Sequence, residues 1–304
     1  MMSPREPQVS VIVPTFNRAW CLGETLESVR RQKFESYELI VVDDASTDDT
    51  EQRVRAFDGI EYLRLDRNQG VSAARNAGLS RARGRYLCFL DSDDRWLDTK
   101  LEKQWEWMET HPGCPACYTD ETWIRNGVRV NPAKKHRKYS GYIFQHCLPL
   151  CIISPSSIML KREVLNRIGG FDEAMRACED YDLWLRLTSC YPVQFLEEAL
   201  IVKYGGHGDQ LSARYWGMDR FRVYALEKLL AAQNPQGEAR RQVLEMLVEK
   251  CGILETGYRN REKYQEAETF AAACRHYADI LASPEIPSLN PFFEQDTLLN
   301  VESN

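Results

Sequence analysis

The first 95 residues repeat one pattern: a short β-branched run, a polar loop, then a segment with apolar residues at helical spacing. Residues 9–13 are closed by Pro14 and followed by Thr15-Phe16-Asn17-Arg18, after which Leu22, Leu26 and Val29 share one helical face. Residues 38–42 form a second run ending in Asp43-Asp44-Ala45-Ser46-Thr47. Ser46 or Thr47 can cap a helix there, with acids in its first turn as the helix dipole prefers. A third run, residues 60–65, leads through Asn68-Gln69-Gly70 into a helix carrying Ala73, Ala74 and Ala77. The fourth, Tyr86-Leu87-Cys88-Phe89-Leu90, stops abruptly in Asp91-Ser92-Asp93-Asp94. Short apolar runs bounded by polar residues read as buried strands. Their alternation with helices through short loops leaves few solutions besides a parallel sheet covered on both faces. The expected class is therefore α/β, a mostly parallel central sheet flanked by helices, with ligands at the carboxyl ends of the strands.

Beyond Asp94 the pattern changes. A helix rich in tryptophan (Trp96, Trp105, Trp107) is expected to run to about Thr110, followed by strands and loops over residues 115–145 with Asn126-Gly127 as a hairpin turn. The basic stretch Lys134-Lys135-His136-Arg137-Lys138 reads as a solvated surface loop. In Gly169-Gly170-Phe171-Asp172-Glu173 the glycines allow close backbone approach to a ligand. The stretch Cys178-Glu179-Asp180-Tyr181-Asp182 opens a helix with acids at its positive end. From Asp219 the chain is helical, and Tyr258, Tyr264, Ala267, Phe270 and Ala271 resemble a single tetratricopeptide-like pair, too few repeats for an independent solenoid. The expected division is an α/β domain over residues 7–217, a helical extension over 218–283 and an irregular tail over 284–304, which holds Pro284, Pro287 and Pro291.

Composition bounds the function. A formal net charge of −6 leaves no basic excess to neutralise phosphates, so nucleic acid is not the expected partner. No apolar run approaches the ~20 residues of a membrane span, and residues 1–7 lack the apolar core of a signal peptide. The expectation is a cytoplasmic protein with no integral membrane segment, compatible with peripheral association at a membrane surface. Ten cysteines read as packed, reduced thiols, because Cys114-Pro115-Ala116-Cys117 has no second pair at zinc-ribbon spacing.

The chemistry centres on the acids after the fourth strand. Three carboxylates in four residues repel one another unless a cation lies between them. The Asp-x-Asp spacing lets Asp91 and Asp93 point the same way, and hard oxygen donors suit Mg²⁺ or Mn²⁺ completed by substrate phosphates. Taken alone, the stretch reads equally as a solvated acidic turn opening a helix near Trp96.

Six landmarks decide between the two: residues 9–18, Val41-Val42-Asp43-Asp44-Ala45-Ser46, Asn68-Gln69-Gly70 with Ala74-Arg75-Asn76-Ala77-Gly78, Asp91-Ser92-Asp93-Asp94, Gly169-Gly170-Phe171-Asp172-Glu173, and Glu179-Asp180. In this order they resemble family 2 glycosyltransferases, which have the GT-A fold, over residues 8 to about 215. The resemblance implies an inverting, metal-dependent enzyme moving one sugar from a nucleotide sugar to a hydroxyl in surface glycan or polysaccharide biosynthesis. It implies that Phe16 stacks on the base, with Pro14 and Thr15 shaping its loop, and that Asp44 accepts from the imide of uracil, which favours a UDP-sugar. Arg18, Arg75, Asp91 and Ser92 belong to the same nucleotide-sugar set, with Arg75 open between a diphosphate contact and a buried salt bridge. Asp93 is the implied ligand of Mn²⁺ or Mg²⁺, with Asp91 beside it. His207, in Gly205-Gly206-His207-Gly208, is a third ligand or a diphosphate contact. Asp180 is the implied catalytic base and Glu179 its neighbour. The implied partners are the nucleotide-sugar donor and a glycan or glycolipid-precursor acceptor, and the C-terminal helices are compatible with a homodimer. Processive relatives carry Gln-x-x-Arg-Trp and transmembrane helices; Gln210-Leu211-Ser212-Ala213-Arg214-Tyr215-Trp216 has the wrong spacing, so a single transfer is expected. Two alternatives stand beside this reading. One is a sugar-phosphate nucleotidyltransferase, which usually carries a glycine-rich basic loop where this chain has Pro14-Thr15-Phe16-Asn17-Arg18. The other is a non-catalytic nucleotide-sugar-binding scaffold acting through the C-terminal helices.

Overall fold

The computed structural model describes residues 6–206, 208, 215–283 and 291–299, and these form two compact units. The first unit comprises Met1–Ile143, Ile152–Glu173 and Tyr191–His207. It contains one sheet built from β1 (Val9–Thr15), β2 (Tyr37–Asp43), β3 (Ile60–Arg64), β4 (Tyr86–Phe89), β5 (Arg95–Trp96), β6 (Ala116–Arg125), β7 (Val128–Val130), β8 (Ile158–Lys161) and β9 (Gln194–Gly205). Its helices are α1 (Leu22–Arg30), α2 (Thr50–Arg55), α3 (Val71–Arg81), α4 (Lys100–Thr110) and α6 (Arg162–Ile168), while α5 (Phe144–Cys147) belongs to the second unit. The strand order is β3-β2-β1-β4-β8-β6-β9-β5, with β7 paired to β6.

β1 pairs in parallel with β2 on one side and β4 on the other. Thr15 stands level with Asp43, and Ile12 with Phe89. The loops after all three strands therefore emerge at one edge. The β-branched runs lie between two covered faces: Val9, Val11, Val13, Val41 and Cys88 join one cluster with Leu22, Leu26 and Trp96. On the other face α3 packs close to β1, because a Cβ at Gly78 would meet Ile12 Cγ2 at 2.5 Å. Cys88 packs as a small hydrophobe, and all ten cysteines are free thiols.

Past β4 the sheet is mixed. β8 runs antiparallel to both β4 and β6, β5 antiparallel to β9, and β6 parallel to β9. The strand–helix alternation of the sequence accounts for the parallel half only, since parallel neighbours need crossover connections. The expected hairpin is present: Asn126 and Gly127, with φ of 49° and 76°, join β6 to β7. Two expectations need correction. Trp96 belongs to β5, and the helix begins at Lys100. The basic stretch is not wholly solvated: the Lys138 side chain is 7% exposed and its ammonium lies 3.3 Å from Glu121, and His136 meets the Trp123 ring edge-on.

The second unit comprises Phe144–Cys151, Ala174–Cys190 and Gly208–Asn304. Its helices are α5 (Phe144–Cys147), α7 (Glu179–Cys190), α8 (Asp219–Ala232), α9 (Gly237–Arg259), α10 (Tyr264–Ala282) and α11 (Gln295–Leu299). Packing thus does not follow chain order, because α7 lies against α8 and α5. Asp182 is tied to Arg186 at 2.6 Å and to Lys228 of α8 at 3.1 Å. α9 and α10 form the expected helix pair, with Tyr258 stacked on Phe270. The tail expected to be irregular contains α11. Glu227 accepts the Phe292 N–H at 2.7 Å and the Tyr277 hydroxyl, and Leu298 is fully buried. Among the described residues no helix is long and apolar enough to cross a membrane.

Gly84, just before β4, tests this packing at the start of β1. A Cβ there would sit 2.5 Å from the Ser10 nitrogen and 2.6 Å from the Val9 carbonyl carbon, both backbone atoms. Gly84→Ala should lower the unfolding free energy by about 2 kcal/mol, as overpacking against unyielding backbone does. Denaturant titration measures it, and an unchanged midpoint would contradict the packing described.

Candidate active site

The loops after β1 and β2 are locked together. The Thr15 carbonyl accepts the Asp44 N–H at 2.9 Å, and Asn17 donates its backbone N–H to Ser46 Oγ at 2.8 Å. Asn17 Oδ1 in return accepts the Thr47 N–H at 2.7 Å, and Arg18 N–H donates to Thr50 Oγ1 at 3.0 Å. Asp43, fully buried, fixes this junction by accepting from the Ser46 N–H, the Tyr62 hydroxyl and Arg64. Pro14 and Thr15 are buried at the end of β1, Arg18 is half-buried over the Trp20 ring, and the Phe16 ring is exposed.

Asp44 accepts two backbone N–H groups, from Gln69 at Oδ1 and Gly70 at Oδ2, both at 2.7 Å. Gly70 has a φ of 95°, a conformation that suits glycine and turns both amides toward the carboxylate. Burial raises the Asp44 carboxyl above its ordinary pKa despite these donors. Asp44 therefore organises the loop before α3, and each oxygen retains a second lone pair.

The acids after β4 are managed individually. Arg75, on α3 and 3% exposed, pairs with Asp91 Oδ1 at 2.7 Å. Its guanidinium lies 5.0 Å from the Phe171 ring centroid, and Phe171 meets Phe89 edge-on. Phe171 is held by Asn76, which donates through Nδ2 to the Phe171 carbonyl at 2.8 Å and accepts its N–H at Oδ1 at 2.9 Å. A Cβ at Gly170 would stand 2.6 Å from Asn76 Oδ1. At this glycine turn the Asn76 amide makes a close approach to the backbone. For Arg75, the buried salt bridge is the observed contact.

Ser92 is buried, its carbonyl accepting the Thr25 hydroxyl at 2.8 Å. Asp94 is buried behind it and accepts the Ser156 hydroxyl at 2.7 Å and the Tyr204 N–H at 3.3 Å. Ser156 Oγ also accepts the Asp91 N–H at 3.1 Å, so one hydroxyl bridges both ends of the acidic turn. Burial pushes Asp94 well above the usual carboxylate range; Lys203 opposes the rise, while the charges of Asp91 and Asp93 add to it. Asp91 and Asp93 are themselves half-buried. Sequence reasoning did not single out Ser156, Asn76 or Phe171. Ser156 lies in an unremarked serine pair, whereas Asn76 and Phe171 stand inside quoted motifs and signal their role only once their contacts are known.

The residues present fit a hard divalent ion. Among the described residues no three His, Cys, Asp or Glu side chains gather to hold a metal. Asp91 and Asp93 supply two carboxylates, the number that suits an ion completed by phosphate oxygens and water. Their charges already weigh on buried Asp94, and a cation at the turn would relieve that field. His207 lies outside the described residues.

The first unit thus brings Pro14, Thr15, Phe16, Arg18, Asp44, Arg75, Asp91, Ser92 and Asp93 onto the end of β1, the loops that follow β1, β2 and β4, and the helix between β3 and β4. Glu179 and Asp180 belong to the second unit. They open α7 directly after Cys178, which has a φ of 58° and whose carbonyl accepts the Asp182 N–H at 3.1 Å. A non-glycine residue in this region is held there by its surroundings at a cost of order 1–3 kcal/mol. Glu179 is buried and Asp180 half-buried. Asp180 Oδ1 accepts the Tyr181 N–H at 2.7 Å, and Oδ2 accepts from the Cys151 thiol at 3.3 Å.

Comparison with known proteins places this geometry. Residues 10–169, more than half of the chain, match the family model for glycosyl transferase family 2. TuaG of Bacillus subtilis, assigned to teichuronic acid biosynthesis as a glycosyltransferase, is 30% identical over 220 residues, covering 71% of this chain and 85% of that protein. The Escherichia coli UDP-Glc:alpha-D-GlcNAc-diphosphoundecaprenol beta-1,3-glucosyltransferase WfaP is 32% identical over 186 residues, 60% of this chain and 70% of its own. Among solved structures, S. aureus TarS 1-349 in complex with UDP-GlcNAc superposes with a TM-score of 0.63 at 20% identity, over 88% of this chain and 92% of that one. The mannosyltransferase PcManGT from Pyrobaculum calidifontis, in complex with GDP-Man and Mn²⁺, gives 0.57 at 19% identity over 90% and 88%. At that identity the two structures establish the GT-A fold alone. The mixed sheet with its flanking helices is a GT-A fold, and the chain is a glycosyltransferase belonging to family 2.

Proposed function

We propose that the enzyme is inverting and metal-dependent, and transfers one sugar from a UDP-sugar to a hydroxyl of a glycan or lipid-linked precursor during assembly of a surface glycan. The observation that carries this reading is the placement of Phe16, Asp44 and the Asp91–Asp93 pair on loops that leave three adjacent parallel strands at one sheet edge. Phe16 stacks on the base, and Asp44 accepts from a base N–H. Uracil offers an imide N–H, whereas the corresponding ring nitrogen of cytosine is bare. Guanine also offers a ring N–H, and the UDP-sugars named for WfaP and TarS favour uracil. The relation to TuaG and WfaP supports a surface-glycan product and a diphospholipid-linked acceptor. A cytoplasmic location with peripheral membrane contact completes the reading.

Pro14 and Thr15 shape the base loop, while Arg18, Ser92 and Arg75 hold the nucleotide and the acidic turn. Asp93 and Asp91, with His207 as a further ligand, would hold Mg²⁺ or Mn²⁺, which when bound supplies Lewis-acid stabilisation of the diphosphate. Asp180 takes the proton of the acceptor hydroxyl as its oxygen bonds to the anomeric carbon. The bond to the diphosphate breaks on the opposite face, and its electron pair leaves with the diphosphate. One protein carboxylate suffices, unlike the acid pair of glycoside hydrolysis. Glu179 orients Asp180 or meets donor hydroxyls.

Asp180→Asn should reduce kcat at least ~100-fold, within the range that removal of a general base costs, while UDP binding stays within about threefold of wild type. Single-turnover transfer and calorimetric UDP binding measure the two; retained transfer would remove Asp180 from the mechanism. Ser156→Ala should leave the buried Asp94 Oδ2 and the Asp91 N–H without their partner, weakening UDP binding severalfold and costing about 1–3 kcal/mol of stability. Thermal melts with and without UDP measure both, and a variant that binds and melts like wild type would contradict the bridging role of Ser156.

A further inference from the structure

The carboxylate of Asp180 has a donor on each oxygen. The Tyr181 N–H reaches Oδ1 at 2.7 Å from within α7, and the Cys151 thiol reaches Oδ2 at 3.3 Å from a segment outside it. That segment is pinned independently, since the Tyr181 hydroxyl donates to the Leu148 carbonyl at 2.6 Å. Tyr181 is 1% exposed, so the anchor is part of the core and the thiol arrives in a fixed position. Cys178 at the start of the turn is held with a φ of 58°, which sets the direction in which Glu179 and Asp180 leave the backbone.

We propose that Cys151 is a positioning residue for the base: its S–H fixes the rotation of the Asp180 carboxylate about the Cβ–Cγ bond. The inference rests on Asp180 acting as the base. With one donor per oxygen the carboxylate plane is defined, and each oxygen keeps a lone pair for the proton it receives. Without the thiol only Oδ1 is held, and the plane can turn about that single contact. Misplacement of a reacting group by about 1 Å costs up to ~100-fold in rate, so partial loss of alignment costs less. A thiol is a weak donor, and a charged acceptor strengthens the contact it makes.

The test compares Cys151→Ala, Cys151→Val and Cys151→Ser in the full chain with a UDP-sugar donor. Alanine and valine lack the donor, and valine keeps the bulk. Both should lower kcat roughly five- to twentyfold, with the donor KM and the UDP Kd within twofold of wild type. Serine restores a hydroxyl donor and should recover kcat to within about threefold of wild type. If alanine fails to fold, the valine–serine comparison carries the test at matched melting temperature. In an Asp180→Asn background the Cys151 substitutions should cost nothing further. Wild-type kcat in the alanine and valine variants, or serine as slow as valine, would overturn the positioning role. Asp180→Asn separates the two claims. Full transfer by that variant overturns the base assignment itself, whereas an inactive Asp180→Asn beside a fully active Cys151→Val overturns only the part given to Cys151.

Discussion

Three carboxylates crowd the carboxyl end of one buried strand, and the first unit is arranged around their mutual repulsion. Asp94 goes inward, where burial and the field of its neighbours hold it toward its neutral form and Ser156 and the Tyr204 N–H accommodate it. Asp91 is answered by Arg75, which reaches across from α3. Arg75 in turn depends on the Phe171 ring beside it, and Phe171 on the amide of Asn76. Residues 95 positions apart in sequence are therefore one support. A divalent ion held by Asp91 and Asp93 would answer the same repulsion.

The loops of β1 and β2 solve a different problem, that of holding an aromatic side chain in the open. Phe16 is exposed, yet the residues around it are tied to the neighbouring loop through Asn17, Ser46 and Thr50. A rigid loop presents a flat apolar ring without the entropy cost of ordering it on binding. In the second unit, Glu179 and Asp180 leave a helix start fixed by the left-handed Cys178 and by buried Asp182, which pairs with Arg186 and Lys228. Both units thus carry polar functional groups on backbone that the core over-determines.

Much of this was legible in the sequence. The parallel half of the sheet followed from the β-branched runs and their spacing, and the acids at the strand ends marked the edge that carries the candidate site. The antiparallel half was not legible, because none of β6, β8 and β9 shows a regular buried–exposed alternation and their directions follow from partners distant in the chain. Lys138 and Lys100 show a second limit. In sequence both look like surface lysines, but Lys138 pairs with Glu121, and Lys100 lies fully buried 3.8 Å from the centroid of the Trp96 ring. Burial of such groups depends on partners distant in the chain. The α11 segment was obscured for the same reason: its prolines suggested irregularity, while Glu227, over 60 residues earlier, holds it in place.

We propose that Asp91 and Asp93 engage the donor diphosphate through a divalent ion. Calorimetric titration of UDP into the full chain, with Mn²⁺ and again with excess EDTA, tests it most directly. UDP should bind with the ion present and lose at least tenfold in affinity without it. Equal affinity in EDTA would contradict it and leave the acidic turn as a structural feature alone.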